Sequence, residues 1–154
     1  LIILTTSKNK EKMKLNVKEL TAINEMALTV GLVMLTIGNF LGGMWANESW
    51  GRYWGWDPKE TWALISIMIY AFVIHMRLVP GLRNRLVFNI ASVLAFGSIL
   101  MTYFGVNFYL AGLHSYAKDD QEISINYILT ALAIITTLSV FAYLKYRKFY
   151  TKSN

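Results

Sequence analysis

The chain alternates between long apolar stretches and short segments that carry most of the charged residues. Four apolar stretches approach the roughly 20 residues that an α-helix needs to cross about 30 Å of hydrocarbon. None of them alternates apolar and polar residues with the period of two that transmembrane β-strands show. The pattern therefore predicts an all-α, polytopic transmembrane helix bundle with about four spans, at approximately residues 22–45, 61–79, 86–106 and 125–143.

The composition also indicates a membrane protein. Hydrophobic residues make up 55% of the 154 residues and charged residues only 16%, whereas a soluble domain needs roughly a quarter charged residues. This composition excludes a disordered chain, and the lack of cysteine excludes a disulfide framework and a Cys-ligated zinc or iron–sulfur site. The basic residues behind the net charge of +6 lie between apolar stretches and not along one face, so we expect no nucleic-acid partner.

The basic residues predict the orientation of the spans, because Lys and Arg near span ends stay preferentially in the cytoplasm. Twelve of the fifteen flank the spans on one side of the membrane. Both termini are therefore expected in the cytoplasm, and the 46–60 and 107–124 loops on the outer face. The cytoplasmic set comprises Lys8, Lys10, Lys12, Lys14, Lys18, Arg77, Arg83, Arg85, Lys145, Arg147, Lys148 and Lys152, whereas Arg52, Lys59 and Lys118 lie on the outer side.

The bundle is expected to form one domain between two basic segments. Residues 22–145 form the transmembrane domain, residues 1–21 a cytoplasmic basic segment and residues 146–154 a cytoplasmic basic tail. The opening sequence LIIL resembles the end of an earlier apolar helix. We therefore interpret the chain as the C-terminal portion of a longer protein.

All five tryptophans fall within residues 45–62, which we call the tryptophan segment. One interpretation is a belt of aromatic rings at the level of the lipid headgroups. A belt is expected at both interfaces, however, and these residues occur at one place. The other interpretation is an aromatic surface with one or two cations, which would suit a flat, apolar ligand that carries carboxylates. Its candidate members are Trp45, Trp50, Arg52, Tyr53, Trp54 and Trp56.

The tryptophan segment also contains the predicted start of the second span. Asp57 fits the N-cap, with Pro58 at the first helical position and Glu60 at the third, which makes an acidic variant of the capping box. Capping accounts for both acids without any chemistry. Arg52 and Lys59 have two interpretations as well, either solvated charges at the rim or partners for the carboxylates of a ligand.

The two histidines of the chain are candidate ligands. His75 falls in the cytoplasmic third of the second span, where it either bonds a backbone carbonyl or is functional, as ionisable residues inside membranes usually are. His114 is either a solvated loop residue or a neighbour of the tryptophan segment on the outer face. An imidazole beside aromatic walls is typical of a haem site. Because one histidine is near the inner leaflet and the other outside, they cannot share one iron.

The tryptophan segment resembles the WWD signature of haem-handling membrane proteins, in the version carried by the CcsA (ResC) cytochrome c biogenesis family. It reads WGRYWGWDPKETWA at residues 50–63. The later sequences FGVN at residues 104–107 and GLHSY at residues 112–116 are similar to the C-terminal outer loop of that family. The resemblance covers roughly residues 45–116.

The resemblance implies a component of a system II cytochrome c synthetase. It favours a bacterial inner membrane, with a thylakoid membrane as the alternative. Such a protein works with a CcsB (ResB) partner, brings haem b to an outer site and joins its vinyl groups to the CxxCH cysteines of apocytochrome c. By the family pattern, His114 is an axial ligand of the outer haem iron and His75 ligates haem iron inside the bilayer. The tryptophan segment, Asp57 included, would hold the outer haem on the periplasmic side.

The chain departs from the family pattern in one respect. The family has two further histidines N-terminal to the signature, and this chain has none there. Alone, it is expected to bind haem incompletely. Two alternatives to a synthetase component remain, namely a haem exporter or chaperone without ligation activity, and a structural membrane subunit with an aromatic belt.

Overall fold

The computed structural model describes residues 10–110 and 125–150, and these two ranges are almost entirely helical. No strand occurs within them, so the predicted all-α fold is confirmed. We number the α-helices in chain order as α1 Lys10–Trp50, α2 Pro58–His75, α3 Arg85–Leu100, α4 Val106–Tyr109 and α5 Ile125–Tyr150.

Four helical stretches in the described ranges are long and apolar enough to cross a membrane. The predicted bundle with about four spans is therefore confirmed, and the protein is an integral membrane protein. A π-helical turn joins α3 to α4, so that both belong to the third span. The four stretches are Lys14–Trp50, Pro58–Leu78, Arg85–Tyr109 and Asn126–Lys148.

Helix α1 is much longer than the predicted first span. Its 41 residues extend over about 62 Å, roughly twice the thickness of the hydrocarbon layer. The helix continues without a break across residues 21 and 22, where the basic segment was expected to meet the transmembrane domain. Apolar composition marks only the part of a helix that lipid can cover, whereas backbone hydrogen bonding continues through charged turns. The division at residue 21 remains a prediction about membrane position.

The connection between α2 and α3 is short and turns sharply. Met76–Leu78 and Pro80–Leu82 form two 3-10 turns, because Pro80 has no amide hydrogen with which to continue a helix. Asn84 is the N-cap of α3, and its side-chain oxygen accepts a hydrogen bond from the backbone N–H of Leu86 at 2.8 Å. The chain therefore reverses direction and α3 packs against α2.

The apolar core lies towards the end of the bundle that contains this connection. One cluster of buried side chains joins α1, α2 and α3, and consists of Leu28, Val73, Met76, Phe88 and Ala95. A smaller cluster joins Val17, Leu86 and Ala142 and so brings α5 to the same end. A basic residue lies within three positions of each of these residues in the sequence. The basic segments therefore lie at one end of the bundle, which we call the basic end. Helix α1 extends from there to the opposite end, where the tryptophan segment lies.

Hydroxyl groups connect α2 to the π-helical turn Met101–Gly105. The Oγ1 atom of Thr102 donates to the backbone carbonyls of Ser98 at 2.8 Å and Trp62 at 3.2 Å. The Oγ atom of the fully buried Ser66 lies 3.0 Å from the same Oγ1. Because the one hydroxyl hydrogen of Thr102 is shared between carbonyls, Ser66 is the donor in that contact. Such hydrogen bonds hold helices together in lipid, where hydrophobic driving force is absent.

Candidate functional site

Helix α1 ends inside the tryptophan segment. Gly51 has a φ of +72°, the left-handed conformation that glycine adopts after helix ends, and its N–H donates to the carbonyl of Asn47 at 2.9 Å. On the last two turns of α1, the rings of Trp45 and Trp50 meet edge to face with centroids 5.1 Å apart. Trp45 remains 50% exposed, so the pair presents an aromatic edge at this end of the bundle.

The capping box predicted at the start of α2 is confirmed. Asp57 is the N-cap, and its Oδ1 atom accepts a hydrogen bond from the N–H of Lys59 at 3.0 Å. In return, the Oε2 atom of Glu60 accepts from the N–H of Asp57 at 3.2 Å. The side chain of Asp57 is buried. Its contacts are thus those of a structural cap, and its expected part in ligand binding stays a prediction.

Glu60 has a second role that the sequence did not reveal. The same Oε2 atom accepts a hydrogen bond from the N–H of Gly55 at 2.7 Å, so one carboxylate oxygen bonds the backbone on both sides of Trp56. Trp56 has a φ of +58°, a left-handed conformation that costs a non-glycine residue about 1–2 kcal/mol. The hydrogen bonds of Glu60 compensate for that cost. They hold Trp56 in place with 72% of its surface exposed.

Arg52 lies against the same turn. A Cβ atom at Gly55 would overlap the guanidinium group of Arg52, so the glycine provides the space into which the cation folds. The rings of Trp54 and Trp56 meet edge to face beside it, with centroids 5.8 Å apart and planes at 88°. The turn therefore combines an exposed indole with a guanidinium group, the combination that the sequence predicted for a flat ligand with carboxylates.

A pocket of about 370 Å³ opens between helix α1 and the tryptophan segment. This volume falls in the range of about 300–1,000 Å³ that small-molecule sites occupy. Its walls are mainly apolar, and two charged side chains, Lys59 and Glu60, reach it. Other lining residues are Gly38, Asn39 and Gly42 on α1, Tyr53 and Trp54 in the turn, and Ala63 on α2.

Gly43 lets the turn pack directly on α1. A Cβ atom there would lie 3.2 Å from the backbone oxygen of Tyr53, whereas one at Gly31 would have no neighbour within 4 Å. We therefore expect Gly43→Val to lower the free energy of unfolding by about 1–3 kcal/mol, in the range of overpacked sites. Thermal unfolding of the purified protein measures the change, with Gly31→Val as the matched control. An equal effect of both substitutions would contradict the close contact.

His75 is the last residue of α2, at the end of the bundle opposite the tryptophan segment. It lies 17 residues beyond Pro58, which corresponds to about 26 Å along the helix axis. Its Nδ1 atom is 2.7 Å from the carbonyl oxygen of Ala71. Because a carbonyl oxygen only accepts, Nδ1 carries a hydrogen, so in the neutral ring the lone pair is on Nε2. The side chain is exposed, so the backbone bond orients the ring and leaves Nε2 for a ligand.

His114 lies outside the described residues. The first described range ends at Leu110, just after α4. Asn107 of α4 accepts a hydrogen bond from the Nζ atom of Lys59 at 3.2 Å, which holds this stretch beside the start of α2. The structure thus brings Trp45, Trp50, Arg52, Tyr53, Trp54, Trp56 and Asp57 to one end of the bundle, and it places His75 at the other.

Comparisons of the chain with known proteins agree on one protein family. Residues 1–114 match the family model described as cytochrome C assembly protein. The chain is 62% identical over 104 residues to protein NrfI of Wolinella succinogenes, a match that covers 68% of this chain and 12% of NrfI.

Two further relatives are cytochrome c biogenesis proteins CcsA. The chain is 48% identical over 99 residues to CcsA of Prochlorococcus marinus strain AS9601, which covers 64% of this chain and 32% of that protein. It is 46% identical over 99 residues to CcsA of Cyanophora paradoxa, covering 64% of this chain and 30% of that protein. The matches therefore span about a third or less of the length of these relatives.

Proposed function

The chain belongs to the cytochrome c assembly protein family, as a CcsA-type protein with a role in cytochrome c maturation, and we propose that it handles haem as its substrate in that role. In this proposal it presents haem b at the outer membrane face for covalent attachment to apocytochrome c. The observation that carries the proposal is the turn that Glu60 holds, which displays Trp56 and Arg52 beside a pocket of about 370 Å³.

The side chains at this end suit a porphyrin in shape and charge. Trp45 and Trp56 are half or more exposed, and indole faces pack well against a flat, apolar ring. The ring of haem carries two propionates, for which the guanidinium of Arg52 is a bidentate partner. Tyr53 and Trp54 line the adjacent pocket. These groups would fix the plane of the ring and the side from which its vinyl groups are reached.

Two histidines would supply axial ligands at two depths. His75 would ligate haem iron inside the bilayer through Nε2, with Nδ1–H bonded to Ala71, the arrangement by which metal-bound histidines are usually oriented. His114 would ligate the outer haem iron. It follows Leu110 by four residues, or at most about 14 Å of extended chain, and Asn107 of the preceding helix already contacts Lys59 of the tryptophan segment.

The proposed attachment of haem depends more on holding the haem in a fixed position than on a reactive side chain of this protein. In thioether formation each S–H of the CxxCH motif adds across a vinyl C=C, which forms one C–S and one C–H bond and releases nothing. The chain has no cysteine, and the thiols belong to the apocytochrome. Holding the vinyl carbons in a fixed orientation towards those thiols would provide much of the rate gain. A CcsB (ResB)-type partner would complete this cytochrome c synthetase.

The basic end supports the proposed orientation. It gathers Lys18, Arg85 and the basic residues of α5 in one place, and Lys and Arg near span ends lie preferentially in the cytoplasm. The tryptophan segment and His114 would then face the periplasm of a bacterial inner membrane, with both termini in the cytoplasm. Haem would enter near His75 and leave at the tryptophan segment.

The proposal is tested with the full-length protein purified together with its partner. We expect a haem absorption spectrum that shifts on reduction, and covalent holocytochrome when an apocytochrome with a CxxCH motif is coexpressed. The His114→Ala variant is expected to lose both the outer haem signal and the covalent product. Haem without covalent product would indicate an exporter or chaperone, and the absence of haem would indicate a structural subunit with an aromatic belt.

A further inference from the structure

A second pocket, of about 480 Å³, lies at the basic end of the bundle. It opens where α1, the α2–α3 connection and the start of α3 meet. The buried ring of Phe88 and the small side chain of Ala22 form its apolar part. Its charged lining consists of Lys18, Glu25, Arg77, Arg83 and Arg85.

Most of the positive charge in this pocket is not neutralised. Glu25 is the one acid in the lining, and it forms an ion pair with Arg77. Lys18, Arg83 and Arg85 form no ion pair with any residue in the described ranges. The pocket thus carries three basic side chains without a described acidic partner, which favours an anionic ligand.

Hydrogen bonds fix the shape of the pocket. The amide of Asn89 on α3 donates to the Oγ1 atom of Thr21 at 2.8 Å and accepts from the amide of Asn24 at 3.0 Å, both on α1. Asn89 also donates to the carbonyl of Arg85 at 2.7 Å. In the connection, the Nε atom of Arg83 donates to the carbonyl of Arg77 at 3.1 Å. The basic side chains therefore project from backbone segments that are held in place.

The length of α1 sets the depth of the pocket in the membrane. Lys18 and Trp45 are separated by 27 residues of continuous helix, or about 40 Å. A bilayer with its headgroup regions is about 40–45 Å thick. When the tryptophans lie at one interface, where such rings prefer to be, Lys18 lies among the headgroups of the other leaflet.

We propose that this pocket binds the headgroup phosphate of an anionic phospholipid of the cytoplasmic leaflet. Basic pockets between transmembrane helices on this side of a membrane are suited to such headgroups. The apolar part formed by Phe88 and Ala22 would contact the start of the acyl chains. A zwitterionic lipid carries no net charge, because its own cation offsets the phosphate, so it gains less from the three uncompensated basic side chains. The inference is independent of any haem ligand.

The test is a lipid titration of the full-length protein, purified without haem in a neutral detergent. Dioleoyl phosphatidylglycerol is added, and the bound lipid is counted by native mass spectrometry, with dioleoyl phosphatidylcholine as the neutral comparison. We expect preferential retention of phosphatidylglycerol. Lys18→Gln and Arg85→Gln are each expected to weaken it about fivefold, the contribution of one basic residue at a membrane surface. Neither side chain makes a described hydrogen bond, so both variants should fold.

The matched control is Lys148→Gln, which removes one exposed charge on α5 at the same end without touching the pocket. Its affinity should stay within about twofold of the parent protein. Equal losses in all three variants would show a general effect of surface charge and overturn the proposal. Equal binding of the two lipids by the parent protein would overturn it as well. Displacement of the lipid by excess inorganic phosphate would identify a site for soluble anions instead.

Discussion

His75→Ala in the full-length protein is expected to lower the haem that copurifies from the inner site at least tenfold. Changes that merely disturb the orientation of a metal ligand already cost about 10–100-fold in affinity, and this substitution removes the ligand atom Nε2 itself. The measurement is haem absorbance per protein in detergent, made in a His114→Ala background so that only the inner site contributes. The remaining helix should be unchanged, because the one described bond of His75 is to a carbonyl of its own helix.

Two controls separate ligation from a structural role of His75. Met68→Ala shortens another exposed side chain of α2, two turns away, and should leave haem occupancy intact. Added imidazole should restore part of the occupancy in His75→Ala, because it supplies the missing nitrogen. Full occupancy in His75→Ala would mean that the residue only caps its own helix turn, and the proposed inner ligand would be withdrawn.

Glu60→Ala is expected to release the turn around Trp56 and to destabilise the protein by about 2–3 kcal/mol. Its carboxylate accepts hydrogen bonds from the N–H groups of Gly55 and Asp57, and bonds to a charged group contribute about 1.5–3 kcal/mol each when buried. Both bonds are partly buried here, which reduces their sum. The left-handed backbone of Trp56 would then relax, so outer haem binding should fall as well. Thermal unfolding and the haem spectrum measure the two effects.

The comparison variants define what Glu60 contributes. Glu60→Gln keeps an acceptor oxygen and should lose about 1 kcal/mol, the difference between a charged and a neutral hydrogen bond. Glu48→Ala removes the same charge from an exposed position near the end of α1 and should have little effect. If Glu60→Ala and Glu48→Ala gave the same unfolding temperature and spectrum, the turn would not depend on the carboxylate.

Local sequence patterns predicted the structural features that are determined by residues close together in the chain. The four spans follow from runs of apolar residues, and the cap at Asp57 follows from the spacing to Pro58 and Glu60. The bond from Glu60 to Gly55 was not predictable, because it exists only once Trp56 adopts a left-handed conformation. Pattern reasoning assigns that conformation to glycine and asparagine, not to tryptophan.

Features that depend on contacts between helices could not be predicted from the sequence either. The π-helical turn at Met101–Gly105 has no local signature in the sequence, and neither do the contacts that its Thr102 makes with α2. The length of α1 was underestimated, because hydropathy records where lipid covers a helix and not where the helix stops. For His75 the sequence left two interpretations open, a hydrogen bond to the backbone or a role as a ligand. The geometry is compatible with both, because Nδ1 bonds the carbonyl oxygen of Ala71 and Nε2 takes no part in that bond.

Helix α1 contributes one wall to each of the two pockets, Gly38 and Gly42 to one and Lys18 to the other. Its only buried apolar residue in the middle third is Leu28, in the core cluster. Because one continuous helix carries a wall of both pockets, a substitution that changes the tilt of α1 in the membrane would alter the two pockets together.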